Sequence, residues 1–267
     1  MDRFDLTLAV KLAGLSEAAY SSDVFVERKR ELGLKDYSYR FLEKDGTQCY
    51  VVYSIGEKVI YIVWRGTEIS DKKDILTDLR CKKISLNPVA KVHRGFKYYV
   101  DNVYLKLKTC VQEIILEGGW FDIYVTGHSL GAAGALISTN RLEEDGIIIR
   151  CCYTYGSPKV GGRNFNVKTP VWRVRNNNDI VTKFPLTGFK HTGRLCYISQ
   201  RKRLFIGKIS HWFLFIDWTR GHFSRIFDGL RDHFINEYYR ILKSILDMQS
   251  DTGRLQAMSG RRFLPTR

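Results

Sequence analysis

The segment Phe121-Asp-Ile-Tyr-Val-Thr-Gly-His-Ser-Leu-Gly131 constrains the fold more than any other part of the chain. An apolar run leads in, Gly127, Ser129 and Gly131 form a G-x-S-x-G pattern, and the small residues Ala132, Ala133, Gly134 and Ala135 follow. A strand that turns sharply into a helix at a serine brings two backbones close together around it. Side chains two residues before and two after would collide, so glycine is needed at both places. The turn strains the serine backbone and lifts the hydroxyl above the sheet. It also aims the N–H of Leu130, at the positive end of the following helix, toward the reacting oxygen. Ser129 is therefore the candidate nucleophile and Leu130 a candidate oxyanion donor. The alternative is a glycine-rich turn that only packs a helix onto a strand.

The surrounding pattern supplies a frame for such a turn. Leu6, Ala9, Val10, Leu12 and Ala13 suit an amphipathic first helix. Tyr37–Leu42, Cys49–Ile55 and Val59–Trp64 read as strands of a meander leading into a buried strand. Phe96, Val100, Val103, Leu107, Val111 and Ile115 recur at helical spacing between Gly95 and Leu116, closed by Gly118. Phe121–Thr126 is a strand, Ser129–Leu136 a helix of small residues, and Ile148–Tyr155 and Val171–Arg175 are further strands. Ile226 to Leu246 is a late amphipathic helix. Strands alternating with helices predict an α/β fold of the α/β-hydrolase kind, with a mostly parallel central sheet and helices on both faces. At 267 residues and 44% hydrophobic, with no Pro- or Gly-rich linker in its middle, the chain is expected to form one domain over residues 1–267. The stretch from Asp251 to Arg267 lacks an apolar period and is expected to be a loose tail.

A serine hydroxyl is a poor nucleophile at neutral pH and needs a base. In this fold class the partners follow in the order serine, acid, histidine. Val171-Trp-Arg-Val-Arg-Asn-Asn-Asn-Asp179 runs from an apolar strand into an Asn-rich loop. A loop after the C-terminal end of a strand is where a site residue belongs, so Asp179 is the candidate acid that orients the histidine. Otherwise it is an Asx-turn residue. Four histidines lie downstream: His191, His211, His222 and His233. His211 adjoins an aromatic run and His222 follows a glycine, which suits structural roles. His233 is favoured as the base, with His191 as the competitor.

Charge and cysteines bear on partners and compartment. The net charge is +15, and from Lys159 to Lys208 twelve Lys and Arg face a single acid, Asp179. This segment is expected to attract an anionic membrane surface, unless it is simply a solvated basic face. Nucleic-acid binding is not expected, since no zinc finger, RNP run or helix-turn-helix signal accompanies the charge. Six cysteines occur; Cys151 and Cys152 are adjacent in an apolar run and should point to opposite faces of a strand. Buried free thiols are expected. Asp5, Lys11 and Glu17 interrupt the apolar residues near the start, so neither a signal peptide nor a membrane-spanning helix is read there. An intracellular protein is the expectation. The oligomeric state is not legible.

Taken together these residues resemble the class 3, fungal-type lipase family. The elbow Val125-Thr-Gly-His-Ser-Leu-Gly-Ala-Ala133 is close to the family form. Val63-Trp-Arg-Gly-Thr67, Val92-His-Arg-Gly-Phe96 and Tyr153-Thr-Tyr-Gly-Ser-Pro-Lys-Val-Gly161 resemble three further family segments in order. Asp179 falls in a match to an Asn-x-x-Asp-Ile-Val-x-x-x-Pro run ending at Pro185. His191 matches a common loop histidine, and His233 the catalytic one. The resemblance covers Tyr37 to Leu246. It implies lipid ester hydrolysis by Ser129, Asp179 and His233, with Thr67 and Leu130 as oxyanion donors and no metal or cofactor.

The chain departs from secreted members of the family after Thr67. Glu68-Ile-Ser-Asp-Lys-Lys-Asp74-Ile-Leu-Thr-Asp78-Leu79 is short and charged where an apolar lid helix is usual. Phospholipid, monoacylglycerol or shorter esters therefore join triacylglycerol as expected substrates. A catalytically silent fold that binds lipid or protein is the competing reading.

Overall fold

The computed structural model describes residues 3–67, 82–207, 209–210, 212–214 and 231–259. Its frame is an eight-stranded sheet. In chain order the strands are β1 (Ser38–Lys44), β2 (Thr47–Ser54), β3 (Val59–Trp64), β6 (Asp122–His128), β7 (Cys151–Tyr155), β8 (Val171–Asn176), β9 (Arg194–Ile198) and β10 (Leu204–Ile206). They stand side by side in that same order. The inner five pair in parallel, while β1 and β2 on one side and β10 on the other are antiparallel. The separate pair β4 (Lys83–Ser85) and β5 (Lys91–His93) forms a small antiparallel ribbon.

Parallel strands need crossovers, and helices supply them. Helix α1 (Leu6–Ala18) opens the chain, capped by the Asp5 carboxylate, which accepts from the Leu8 N–H at 3.0 Å. Helix α2 (Ser22–Glu31) follows. Helix α3 (Arg94–Gly118) buries Phe96, Val100, Val103, Leu107 and Val111 of the expected stripe, and at its end Ile114 is buried while the expected Ile115 is only partly so. Its capping residue is Gly119, one position beyond the expected Gly118. Helix α4 (Leu130–Glu144) and helix α5 (Ile235–Ser259) complete the set.

The sheet separates two apolar layers. Ile60, Ile62 and Trp64 of β3 join the layer under α3 and α4; Tyr61 and Val63 join the layer under α1 and α5. Because both faces of β3 are covered, its sequence is continuously apolar rather than alternating. Cys151 and Cys152 divide in the same way, one into each layer. Five cysteines, Cys49, Cys110, Cys151, Cys152 and Cys196, are buried free thiols; Cys81 lies outside the described residues.

Several elements differ from expectation. Helix α4 extends eight residues past Leu136 to Glu144, and its residues from Gly131 to Asn140 are all buried. Small side chains let it sit close against the sheet on every side, so it shows no amphipathic stripe. Strand β7 starts at Cys151, because Ile148 just ahead of it is exposed in the connection. Helix α5 continues through Asp251 to Ser259, where a loose tail was expected. Extending a formed helix fixes few new dihedrals per hydrogen bond, so it continues past its apolar stripe. Residues 260–267 lie outside the described residues. Helix α2, the β4–β5 ribbon and strands β9 and β10 have no counterpart in the sequence reading. Among the described residues no helix is long and apolar enough to cross a membrane.

Candidate active site

The C-terminal ends of β3, β6, β7 and β8 open onto one edge of the sheet, where an α/β fold gathers functional loops. Ser129 sits between β6 and α4 at φ 58°, ψ −123°. A non-glycine residue with positive φ stores about 1–3 kcal/mol and persists only when its surroundings fix it. Here the surroundings are two close contacts. A Cβ on Gly127 would meet the carbonyl of Gly131 and, at 2.9 Å, the Ala132 nitrogen. A Cβ on Gly131 would meet the Trp64 carbonyl and lie 2.8 Å from the Arg65 carbonyl carbon. The second contact seats the end of β3, at Trp64 and Arg65, beside the first turn of α4; Thr67 follows two residues on in the chain. Leu130 opens that helix, so its N–H has no carbonyl one turn earlier to bond.

Ser129 Oγ lies 2.8 Å from His233 Nε2. His233 Nδ1 lies 2.9 Å from both Asp179 Oδ1 and Oδ2. A carboxylate can only accept, so Nδ1 carries the hydrogen and Nε2 presents its lone pair to the serine hydroxyl. Asp179 Oδ1 also accepts from the Val181 N–H at 3.0 Å, and Oδ2 from the Tyr238 hydroxyl at 2.5 Å. All three side chains are buried, Ser129 at 1% exposure, His233 at 4% and Asp179 at 0%. In this closed arrangement the serine meets protein rather than solvent. The structure thus brings Ser129, Asp179 and His233 together. His191 stands apart, its Nε2 donating to the Thr182 carbonyl at 2.9 Å. Burial and the nearby Arg173 push its pKa down to about 3, so it is neutral.

His233 was expected within a helix beginning at Ile226. Residues 226–230 lie outside the described residues, and α5 begins at Ile235, leaving His233 in the loop ahead of it. The reason is visible in its carbonyl, which accepts from His128 Nε2 at 2.6 Å. A helical backbone would commit that carbonyl to the N–H four residues on. His211, His222 and the charged stretch from Glu68 to Leu79 also lie outside the described residues.

Residues 61–189 match the class 3 lipase profile. The chain is 35% identical over 167 residues to the lipase of Rhizomucor miehei, covering 58% of this chain and 46% of that protein. Its fold is similar to the solved structure of Rhizomucor miehei triacylglyceride lipase, with TM-score 0.70 and 25% identity over 85% of this chain and 92% of the other. Over these residues the chain is similar to the class 3 lipase family. It is also 33% identical over 166 residues to phospholipase A1-Igamma2, chloroplastic, of Arabidopsis thaliana, covering 49% of this chain and 31% of that one. The chain spans less than half the length of these curated relatives.

Around this site stand residues that sequence reasoning passed over. His128 was read only as a variable position of the elbow. It is buried, donates through Nε2 to the His233 carbonyl, and lies 2.7 Å through Nδ1 from the Tyr20 hydroxyl, which must therefore donate. Burial and the neighbouring His233 hold its pKa well below the usual histidine value. Tyr238, on the first turn of α5, bridges Asp179 and the Asn176 N–H, which it accepts at 3.0 Å. Burial and the Asp179 carboxylate push its pKa well up, so it stays a donor. Gly156, just after β7, lies beneath the Asp179–His233 pair. Position five after a candidate base, on an amphipathic helix, was the one available signal for Tyr238; His128 and Gly156 had none outside the motifs. Among the described residues no cluster of three His, Cys, Asp or Glu side chains could hold a metal ion.

Proposed function

We propose that the chain is a serine hydrolase of lipid carboxylic esters. The observation that carries this reading is the hydrogen-bonded line Ser129–His233–Asp179 at 2.8 and 2.9 Å, set on a strained strand-to-helix elbow. Ser129 Oγ attacks the ester carbonyl carbon as His233 Nε2 takes its proton. The carbonyl π electrons move onto oxygen, and the Leu130 and Thr67 N–H groups stabilise the charge that develops there. The C–O bond to the alcohol then breaks, and His233 returns the proton to the leaving oxygen. Water repeats the sequence on the acyl-serine, releasing the carboxylic acid and free Ser129. Asp179 keeps the imidazole in its tautomer and stabilises the imidazolium. Losing one oxyanion donor costs about 10²–10³ in rate. The chemistry as written needs no metal or cofactor.

Triacylglycerol-type esters are the first substrate class, on the family's lipases. A second reading, a phospholipase A1 or monoacylglycerol-type hydrolase on anionic membranes, is favoured by the basic segment. Arg163, Lys168, Lys190, Arg194, Arg201, Lys202 and Arg203 are exposed, although Arg173 of the same segment is buried. The relative named phospholipase A1 supports that reading. A reducing, intracellular setting suits the buried free thiols: burial pushes Cys196 up to about 12, which keeps it protonated and unreactive.

One experiment tests these readings: a panel of glycerides and phospholipids of varied chain length, offered as neutral and anionic vesicles at low and high salt, to the unmodified protein and Ser129→Ala. The expected result is hydrolysis by the unmodified protein and a loss of at least about 10⁴-fold in Ser129→Ala. Full activity in the variant sinks the nucleophile assignment. A folded unmodified protein that hydrolyses nothing favours the silent lipid- or protein-binding fold. Salt-sensitive preference for anionic vesicles selects the phospholipase reading.

A further inference from the structure

Two consecutive residues ahead of α5 reach the same turn. His233 bonds Asp179, and Asp232 bonds the three asparagines that precede Asp179. Asp232 is 7% exposed. Its Oδ2 accepts from the Asn178 N–H at 3.1 Å and from Asn177 Nδ2 at 3.0 Å. Its main-chain carbonyl accepts from Asn176 Nδ2 at 3.0 Å, and the same amide lies 3.5 Å from Oδ1. The turn so held has Asn177 at φ 33°, a left-handed conformation that asparagine tolerates, and an Asp179 N–H bonded to the Asn176 carbonyl at 2.9 Å.

The polarity of these bonds selects the residue types. A buried carboxylate is costly unless donors surround it, and here the donors come from the turn that carries the acid. The Asn-rich run is thus more than a turn signal. It presents a main-chain N–H and two side-chain amides to one acceptor residue.

We propose that Asp232 is a positioning residue for the Ser129–His233–Asp179 line, clamping the Asn176–Asn178 turn to the loop of His233 and so setting the geometry between Asp179 and His233. The proposal rests on the hydrolase reading above. Asp232 touches none of the reacting atoms and acts through its neighbour in the chain and the turn opposite. Positioning matters because a misplacement of about 1 Å can cost about 10²-fold in rate. Asparagine at 232 keeps one oxygen that can accept from Asn177 and Asn178, so it retains most of the clamp. Alanine removes the side-chain contacts.

The test measures kcat and KM for hydrolysis of a p-nitrophenyl ester. The proteins are the unmodified chain, Ser129→Ala, Asp232→Ala, Asp232→Asn, Asn177→Gly, His233→Ala, and Asp232→Ala combined with His233→Ala. Asp232→Ala is expected to lower kcat about 10–100-fold with KM changed less than about twofold. Asp232→Asn should recover most of that loss. On the His233→Ala background Asp232→Ala should cost less than about twofold more, because residues acting as a unit are not additive. A merely structural role lowers activity equally on both backgrounds. Asn177→Gly deletes one donor to Asp232 at a backbone conformation that suits glycine, so kcat should drop severalfold with the thermal midpoint retained. It carries the test if Asp232→Ala fails to fold. The proposal is overturned by an unchanged kcat in the folded variants, or by equal losses with and without His233. Absence of Ser129-dependent hydrolysis in the unmodified protein sinks the hydrolase reading instead, and the proposal with it.

Discussion

At the scale of single residues, the tightest constraint on the site is a missing side chain. Gly156 lies at φ 57°, where a Cβ would meet Asp179 Oδ2 at 2.8 Å and His233 Nδ1 at 2.9 Å. Both the conformation and the space exclude any other residue. Adopting a left-handed conformation costs an L-residue roughly 1–2 kcal/mol, whereas wedging Asp179 and His233 apart acts on the proposed chemistry. Gly156→Ala is therefore expected to lower kcat at least about 10-fold while costing only about 1–2 kcal/mol in urea unfolding. A variant with normal kcat would show that the pair does not rest on this glycine. The elbow glycines act on the fold itself, since their neighbours are backbone atoms that cannot swing away. The Gly127 constraint was legible in the sequence, because it acts against the backbone of Gly131 four residues on, whereas the backbone that Gly131 itself meets, at Trp64 and Arg65, lies far along the chain. The Gly156 constraint was not, because it acts on residues 23 and 77 positions away.

At the scale of elements, α5 links core packing to the site. Tyr238, Ile241, Leu242 and Ile245 face the layer shared with α1, and the Tyr238 hydroxyl reaches Asp179 from that same helix. The far end of α1 leads to Tyr20, whose hydroxyl meets His128 and through it the His233 carbonyl. Leu242→Ala should cost about 2–5 kcal/mol of stability by opening a cavity in this layer. Urea unfolding followed by far-UV circular dichroism measures it, and a loss below about 1 kcal/mol would mean that the layer collapses around the gap. Elements with a strong apolar stripe, such as α3 and α5, were readable from periodicity. Helix α2 was not: its residues are mostly charged, and only Phe25 and Lys29 are buried. Strands β9 and β10 were masked by the basic residues around them.

At the scale of the whole molecule, two buried neutral histidines couple stability to pH. His128 is held well below the usual value by burial and His233, and His191 is held down at about 3 by burial and Arg173. Their folded pKa values lie below the unfolded value of about 6.5, so the unfolded chain binds more protons across that window. Stability is therefore present above about pH 6.5 and is lost as pH falls through the folded pKa values, which for His191 means toward about 3, with a slope of up to about 1.4 kcal/mol per pH unit for one proton. The thermal midpoint should fall steadily on acidification, and His191→Gln should flatten the slope. An unaltered slope in that variant would mean that His191 does not contribute. The lowered pKa values of Asp145 and Glu237, each held by cations (Lys108 for Asp145, Arg240 for Glu237), push in the same direction.

The sequence by itself determined what depends on neighbours along the chain. The elbow follows from glycine sterics, the helices α1 and α3 and the inner strands from hydrophobic period, and the order of serine, acid and histidine from the fold those elements imply. These signals are local because backbone sterics and amphipathic spacing act within a few residues. Only the tertiary structure decided which contacts form across the chain. It set His233 rather than His191 beside Ser129, put His128 under the His233 carbonyl, brought Tyr238 to Asp179, and hung the Asn176–Asn178 turn on Asp232. It also divided the basic segment, leaving some cations exposed while burying Arg173 in the sheet. Such contacts join residues tens to a hundred or more positions apart, and their geometry exists only once the sheet has brought its strand ends together.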